Sequence, residues 1–182
     1  MIVREGPLAG LLVIEPKVFG DHRGFFLEIY SRARYADAGI AAELVQDNLS
    51  FSARGVLRGL HFQNPEAQGK LVSVLQGEVF DVAVDVRRGS PTFGRWHGET
   101  LSAENKRQFW IPPGFAHGFC VTSETALFAY KCSAYYAPRC EHTIRWDDPE
   151  IGIAWPVEKP SLSEKDMAGV LLSEMDPAVL FD

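Results

Sequence analysis

The chain has 182 residues, 46% of them hydrophobic and including twelve Phe and four Trp, so it can bury a sizeable core as one ordinary domain. A formal charge of −6 with scattered Lys and Arg leaves no basic footprint for nucleic acid, although local fields can still favour a small anionic ligand. Three cysteines, Cys120, Cys132 and Cys140, form no CxxC pair and no apolar run approaches twenty residues, which predicts a cytoplasmic protein without disulfide framework, signal peptide or membrane span.

In chain order, "GLLVIEPKVFGDHRGFFLEIYS" supplies two β-rich pieces separated at Gly20-Asp21, and "RARYADAGI" has helical spacing ended by Gly39. From Leu44 onward strand patterns dominate. "KLVSVLQGEVFDVAVDVRRGSPTFGRWHGETLS" reads as strands punctuated by Gly77, by Gly89 to Pro91 and by Gly98. Within it Val82, Val84 and Val86 alternate with Asp81, Ala83 and Asp85, the pattern of a half-buried antiparallel sheet. "RQFWIPPGFAHGFCVT" and "TALFAYKCSAYY" add strands around a Pro-Pro-Gly turn, and short strands at this spacing favour a sandwich or barrel. "SLSEKDMAGVLLSEM" predicts a helix capped by Ser161 or Ser163, part of a C-terminal helical appendage over about 161–182 that is too short to bury a core alone.

"IPPGFAHGF" carries the Pro-x-Gly-x-x-His turn of the cupin-type jelly roll, a double-stranded β-helix barrel that often holds a metal. The partner motif of such a site has a His-x-His pair, whereas here the chain reads His61-Phe62-Gln63, with Glu66 as an extra oxygen donor. Two histidines without a third strong ligand make a poor transition-metal site, so no metal and no cofactor is expected.

His61 could then be a core histidine hydrogen-bonded to backbone. Against that reading, Arg58, His61, Lys70 and His117 all fall in or beside strands of one barrel, and burying several cations around a cavity is unfavourable unless an anion enters. In a regular strand Arg58 faces away from His61, to the rim or outside; a bulge at Gly59 would turn both to one side. Tyr130 could be a buried strand tyrosine, yet a phenol facing an imidazole is also the acid and base pair an epimerase requires. Asp166 reads as a solvated helix residue unless its segment folds back to fix the tautomer of His61.

The motifs "DHRGFFLEIY", "VQDNLSFSARGVLRGLHFQ", "QGKLV", "GEVFDVAVDVRRGSPTFGRW", "LSAENKRQFWIPPGFAHGF" and "WDDPEIGIAWP" stand in order from about Phe19 to Asp166. Together they resemble the dTDP-4-dehydrorhamnose 3,5-epimerase family. The resemblance implies an all-β, cupin-type jelly roll with short flanking helices, spanning 1–182 as a single metal-independent epimerase domain. It also implies a homodimer, and a substrate that is a dTDP-linked 4-keto-6-deoxy sugar inverted at C3 and C5. By motif position His61 matches the family's general base, Tyr130 its general acid, Asp166 the partner of His61, and Lys70 the cation that stabilises the enolate. Arg58 and His117 match sugar and diphosphate contacts, and Gln46 and Asn48 match further nucleotide contacts. Tyr136 matches an aromatic stacked near the base, with Glu141 and Lys165 as additional binding positions. Arg23, Phe26 and Glu28 match a segment, residues 21–30, that reaches the partner subunit's site. Within this fold the alternatives are a single-centre epimerase or ketoisomerase on a related nucleotide sugar; outside catalysis, a sugar-binding cupin.

Overall fold

The computed structural model describes residues 1–182. Strands β1 (Ile2–Glu5) and β2 (Leu12–Glu15) lead into a hairpin of β3 (Val18–Asp21) and β4 (Gly24–Leu27), followed by helix α1 (Arg32–Asp37). Next come β5 (Gln46–Ala53), β6 (Leu57–Gln63), β7 (Lys70–Gln76), β8 (Glu78–Asp85) and β9 (Trp96–Ser102). β10 (Gln108–Ile111), β11 (Phe115–Val121), β12 (Thr125–Cys132), β13 (Glu141–Thr143) and a one-turn helix α2 (Glu164–Met167) complete the order. One sheet runs β1-β2-β10-β7-β12-β5, and a second, β13-β6-β11-β8-β9, faces it to make a jelly-roll barrel. Strands adjacent in these sheets pair antiparallel.

Inward residues of the two sheets fill one end of the barrel: Val72, Val74, Phe109 and Phe128 meet Val79, Ala83, Leu101 and Phe119. The outer face of the five-stranded sheet is covered as well, since Phe62, Val82, Val84 and Val86 pack with Ile144, Ile151, Leu172, Met175 and Leu180 from the C-terminal segment. That covering corrects the half-buried reading of β8. The alternation is real, but both faces are inside, and Asp81 and Asp85 are each 0% exposed. Asp85 is satisfied by Arg87, Ser90 and Thr92, as a buried carboxylate must be.

Two further expectations change. Gly98 does not interrupt a strand but lies within β9, where a Cβ would stand 2.3 Å from the ring of Phe80; the glycine makes room for that ring. The C-terminal helix shrinks to α2, capped by Ser163, while Ser161 bridges to Val56. Beyond α2 the chain pairs with backbone rather than coiling, Val170 N donating to Thr143 O and Arg145 N donating to Val170 O, and only 3-10 turns follow at Leu172–Glu174 and Pro177–Val179. α1 ends at Asp37 with Gly39 at φ +99°, the left-handed position that stops a helix.

β6 and β11 do not pair one to one. His61 lies opposite His117 and Arg58 opposite Phe119, so three steps on β6 match two on β11 and the strand carries a bulge at Gly59–Leu60. Gly59 adopts φ +118°, and a Cβ there would meet Gly118 Cα at 2.5 Å and His117 O at 2.6 Å. Gly59→Ala adds left-handed strain to a backbone clash, and should lower stability by on the order of 3 kcal/mol in chemical denaturation.

Candidate active site

The bulge sets the geometry of the site. It turns Arg58 to the same side as His61, and both line a cavity of about 330 Å³ between the two sheets. Arg58 is steadied there by Ser52 Oγ, which accepts from Nε at 3.2 Å and from a terminal guanidinium nitrogen at 3.1 Å.

His61 Nε2 lies 2.7 Å from Asp166 Oδ1. The same carboxylate accepts from Ser163 Oγ at 2.6 Å and from Gly59 N at 3.2 Å, so the bulge supplies one donor and the α2 cap another. Burial raises the Asp166 pKa, but the hydrogen bonds from His61 and Ser163 outweigh it and hold the group at about 2. An ionised carboxylate only accepts, so Nε2 must carry the proton and Nδ1 the lone pair. Burial is also the largest influence on His61, and with Lys165 and Lys70 nearby it outweighs Asp166 and lowers the imidazole pKa. His61 is therefore neutral and oriented at neutral pH, with Nδ1 free to accept a proton.

The facing sheet supplies the opposite chemistry. Tyr130 on β12 lines the cavity, its phenol pKa pushed up by burial and by nearby Cys132, so it keeps its proton. Lys70 at the start of β7 also lines the cavity; burial lowers its pKa, against the pull of Cys132, Glu141 and Asp81. On the sheet that carries His61, His117 Nε2 sits 3.1 and 2.9 Å from the two oxygens of Asp81. Burial raises the Asp81 pKa, opposed by His117 and Lys70 and assisted by Glu99. Asp81 is a site residue that the sequence reading missed. The available signal was an aspartate alternating with valines in β8, which marks a distinct face without saying that it lies inside.

The mouth of the cavity is a polar network. Tyr136 N donates to Gln46 Oε1, Gln46 Nε2 to Asn48 Oδ1, Tyr136 Oη to Glu141, and Lys165 Nζ to both Glu141 oxygens. The Tyr136 side chain stays about half exposed, a free aromatic face at the rim. Eleven of the positions singled out from the sequence thus converge on one cavity: His61, Tyr130, Asp166, Lys70, Gln46, Asn48, Arg58, His117, Tyr136, Glu141 and Lys165. Arg23, Phe26 and Glu28 do not. Arg23 pairs with Asp21 on the β3–β4 hairpin, Glu28 accepts from Arg34, and Phe26 is 70% exposed.

Gln63 is occupied elsewhere, Nε2 donating to Glu66 O and Tyr135 O while Oε1 accepts from Ala137 N. No three His, Cys, Asp or Glu side chains converge as a metal would need.

A jelly-roll barrel with a carboxylate-oriented imidazole on one sheet and a phenol and lysine on the other defines an acid–base enzyme of the cupin class. The family model for dTDP-4-dehydrorhamnose 3,5-epimerase matches residues 5–174. A Pseudomonas aeruginosa dTDP-4-dehydrorhamnose 3,5-epimerase is 59% identical over 168 residues, covering 91% of this chain and 93% of that one. A crystal structure of the 3,5-epimerase from Legionella pneumophila in complex with dTDP-4-keto-L-rhamnose superposes with a TM-score of 0.96 at 55% identity, covering 99% of this chain and 97% of the other. A Streptomyces niveus dTDP-4-dehydrorhamnose 3-epimerase is 42% identical over 182 residues, covering 99% of this chain and 88% of that one. The chain belongs to the dTDP-4-dehydrorhamnose 3,5-epimerase family.

Asp85 and Asp166 are both held at about 2, below the ordinary aspartate value of 3.8. A depressed folded-state pKa stabilises the fold above the unfolded pKa and loses that contribution as pH falls through the folded one. Stability should therefore drop by about 2 kcal/mol per group between roughly pH 4 and pH 2. In urea midpoints against pH, Asp166→Asn should remove its share of that slope and leave the Asp85 share.

Proposed function

We propose that the chain converts dTDP-4-dehydro-6-deoxy-D-glucose to dTDP-4-dehydro-L-rhamnose by inverting C3 and C5, as a metal-independent isomerase needing no cofactor. The observation that carries this reading is that His61 and Tyr130 line one cavity from facing sheets, with Lys70 beside them.

His61 Nδ1 takes the proton from a carbon next to the C4 ketone. The C–H electron pair becomes a C=C bond to C4, and the carbonyl pair moves onto the C4 oxygen. Lys70 stabilises that oxygen, which is negative mainly in the transition state and the enolate, so the interaction accelerates proton abstraction rather than only tightening binding. Tyr130 gives its proton to the same carbon from the opposite face, the ketone reforms, and exchange with water resets imidazolium and phenolate. C3 and C5 both flank C4, so one base and one acid serve both once the ring shifts between steps.

Arg58, His117 and Lys165 are suited to the sugar and diphosphate, Gln46 and Asn48 to the nucleotide, and the exposed ring of Tyr136 to stacking on the base. Residues 21–30 complete the site of a second copy in a homodimer. Support for this comes from the hairpin's exposed Phe25 and Phe26, and from Arg23 and Glu28 lying outside the cavity of their own chain. The 182 residues act as one unit in the cytoplasm, with the C-terminal segment delivering Asp166 to the barrel.

Turnover in deuterated water should place solvent deuterium at both C3 and C5; label at C3 alone would instead favour the single-centre activity named for the Streptomyces niveus relative. His61→Ala should cut exchange by roughly 10²–10⁴-fold while dTDP affinity, read by calorimetry, stays nearly unchanged. Because the folded protein lowers the His61 pKa from 6.5, kcat/KM should hold at neutral pH and fall with acid only below that value.

A further inference from the structure

Four inward side chains of β5 follow one another along the cavity: Gln46, Asn48, Ser50 and Ser52. Gln46 and Asn48 bond to each other, and Ser52 accepts from Arg58. Ser50 alone has nothing. Its Oγ is fully shielded, has no hydrogen-bond partner in the protein, and is the one buried side-chain oxygen or nitrogen in that condition. Leaving a buried hydroxyl unpaired is costly, so its persistence in a residue that lines the cavity points to a partner that arrives with the ligand, met by a turn of the side chain about Cα–Cβ that brings the shielded oxygen to the cavity.

Its surroundings narrow the partner. Ser50 lies opposite Phe128, whose ring stacks on Phe119 at 4.1 Å, so the hydroxyl is a polar point beside an apolar wall. Ser50 is also two residues further along β5 than Asn48, the cross-strand partner of Tyr130, and away from the Gln46–Tyr136 rim. A neutral hydroxyl in that place suits a neutral sugar oxygen better than a phosphate, for which Arg58 and Lys165 are the charged groups at hand.

On the proposed substrate, C1 carries the diphosphate, the C4 oxygen faces Lys70, and C6 is a methyl group. The C3 hydroxyl changes position when C3 is inverted. Only the C2 hydroxyl keeps its configuration from substrate through both enolates to product. Resting on the functional reading above, we propose that Ser50 is a specificity-determining residue that hydrogen-bonds the C2 hydroxyl of the sugar, anchoring the ring while its other carbons invert.

The test compares Ser50→Ala with the unaltered enzyme on dTDP-4-dehydro-6-deoxy-D-glucose and on its 2-deoxy analogue, read by deuterium uptake. With the natural sugar the variant should show a rise in KM of about tenfold, the size of one lost hydrogen bond, with kcat changed much less. The 2-deoxy analogue should be handled equally by both proteins, so the preference for a C2 hydroxyl collapses in the variant. Thermal stability of the ligand-free variant should be unchanged or higher, because no bond within the protein is removed, and affinity for dTDP alone should not move. Equal losses on both sugars, no loss on either, weaker dTDP binding, or a fall in stability without a kinetic effect would each overturn the assignment. If the unaltered enzyme exchanges neither sugar, the functional reading itself fails and the assignment falls with it, an outcome visible before any variant is compared.

Discussion

Two backbones, at Gly59 and Gly118, pass so closely that neither strand can carry a Cβ at the crossing. The rest of the site depends on that approach. The extra residue it accommodates on β6 breaks the strict alternation of the strand, and two residues three apart, Arg58 and His61, come to share one side. It also aims the Gly59 amide at Asp166, so the distortion that exposes the base is bonded to the carboxylate that orients it. Backbone geometry, tautomer and charge are thereby fixed by one local arrangement.

Burial is the largest influence on His61, Lys70, Asp81, Tyr130 and Asp166, and what distinguishes these groups is how far their partners answer it. Asp166 has three donors and remains ionised; Asp81 has the His117 ring but also feels Glu99, and its pKa rises. Lys70 and His61 both become easier to deprotonate, and Tyr130 harder. These shifts set resting protonation states: a neutral imidazole with a lone pair to accept and a phenol that keeps its proton.

Much of the barrel was legible because strand periodicity is local. The strand-rich run from Leu44 onward, the stop at Gly39 and the turns at Gly77 and Gly89 to Pro91 need no knowledge of neighbours. The failures share a cause. Alternation in β8 reports two unlike faces but not where they lie, so a barrel lumen lined by Asp81 reads the same as a solvent face. Gly98 reads as punctuation until the ring of Phe80 is placed against it, and Arg58 has no defined direction until β11 sets the register. Residues past Met167 have helical composition, yet their backbone groups pair with Thr143 and Arg145, a contact that no sequence window contains. Among the cavity positions, Arg58, His61, Lys70, His117, Tyr130 and Asp166 stand out by their own chemistry, whereas Gln46, Asn48, Tyr136, Glu141 and Lys165 come only from motif resemblance, and Asp81 and Ser50 escape both routes.

Asp166 stands 105 positions after the histidine it serves. Chain made from its first residue onward has every strand of both sheets in hand by Thr143, before the segment carrying Asp166 has been synthesised. Imidazole, phenol and lysine thus all precede in the chain the carboxylate that chooses the imidazole's tautomer. The carboxylate reaches the imidazole only when the segment after Thr143 docks on the sheet. In that sense the C-terminal wrap couples the covering of the sheet's outer face to the tautomer of an imidazole on its inner face.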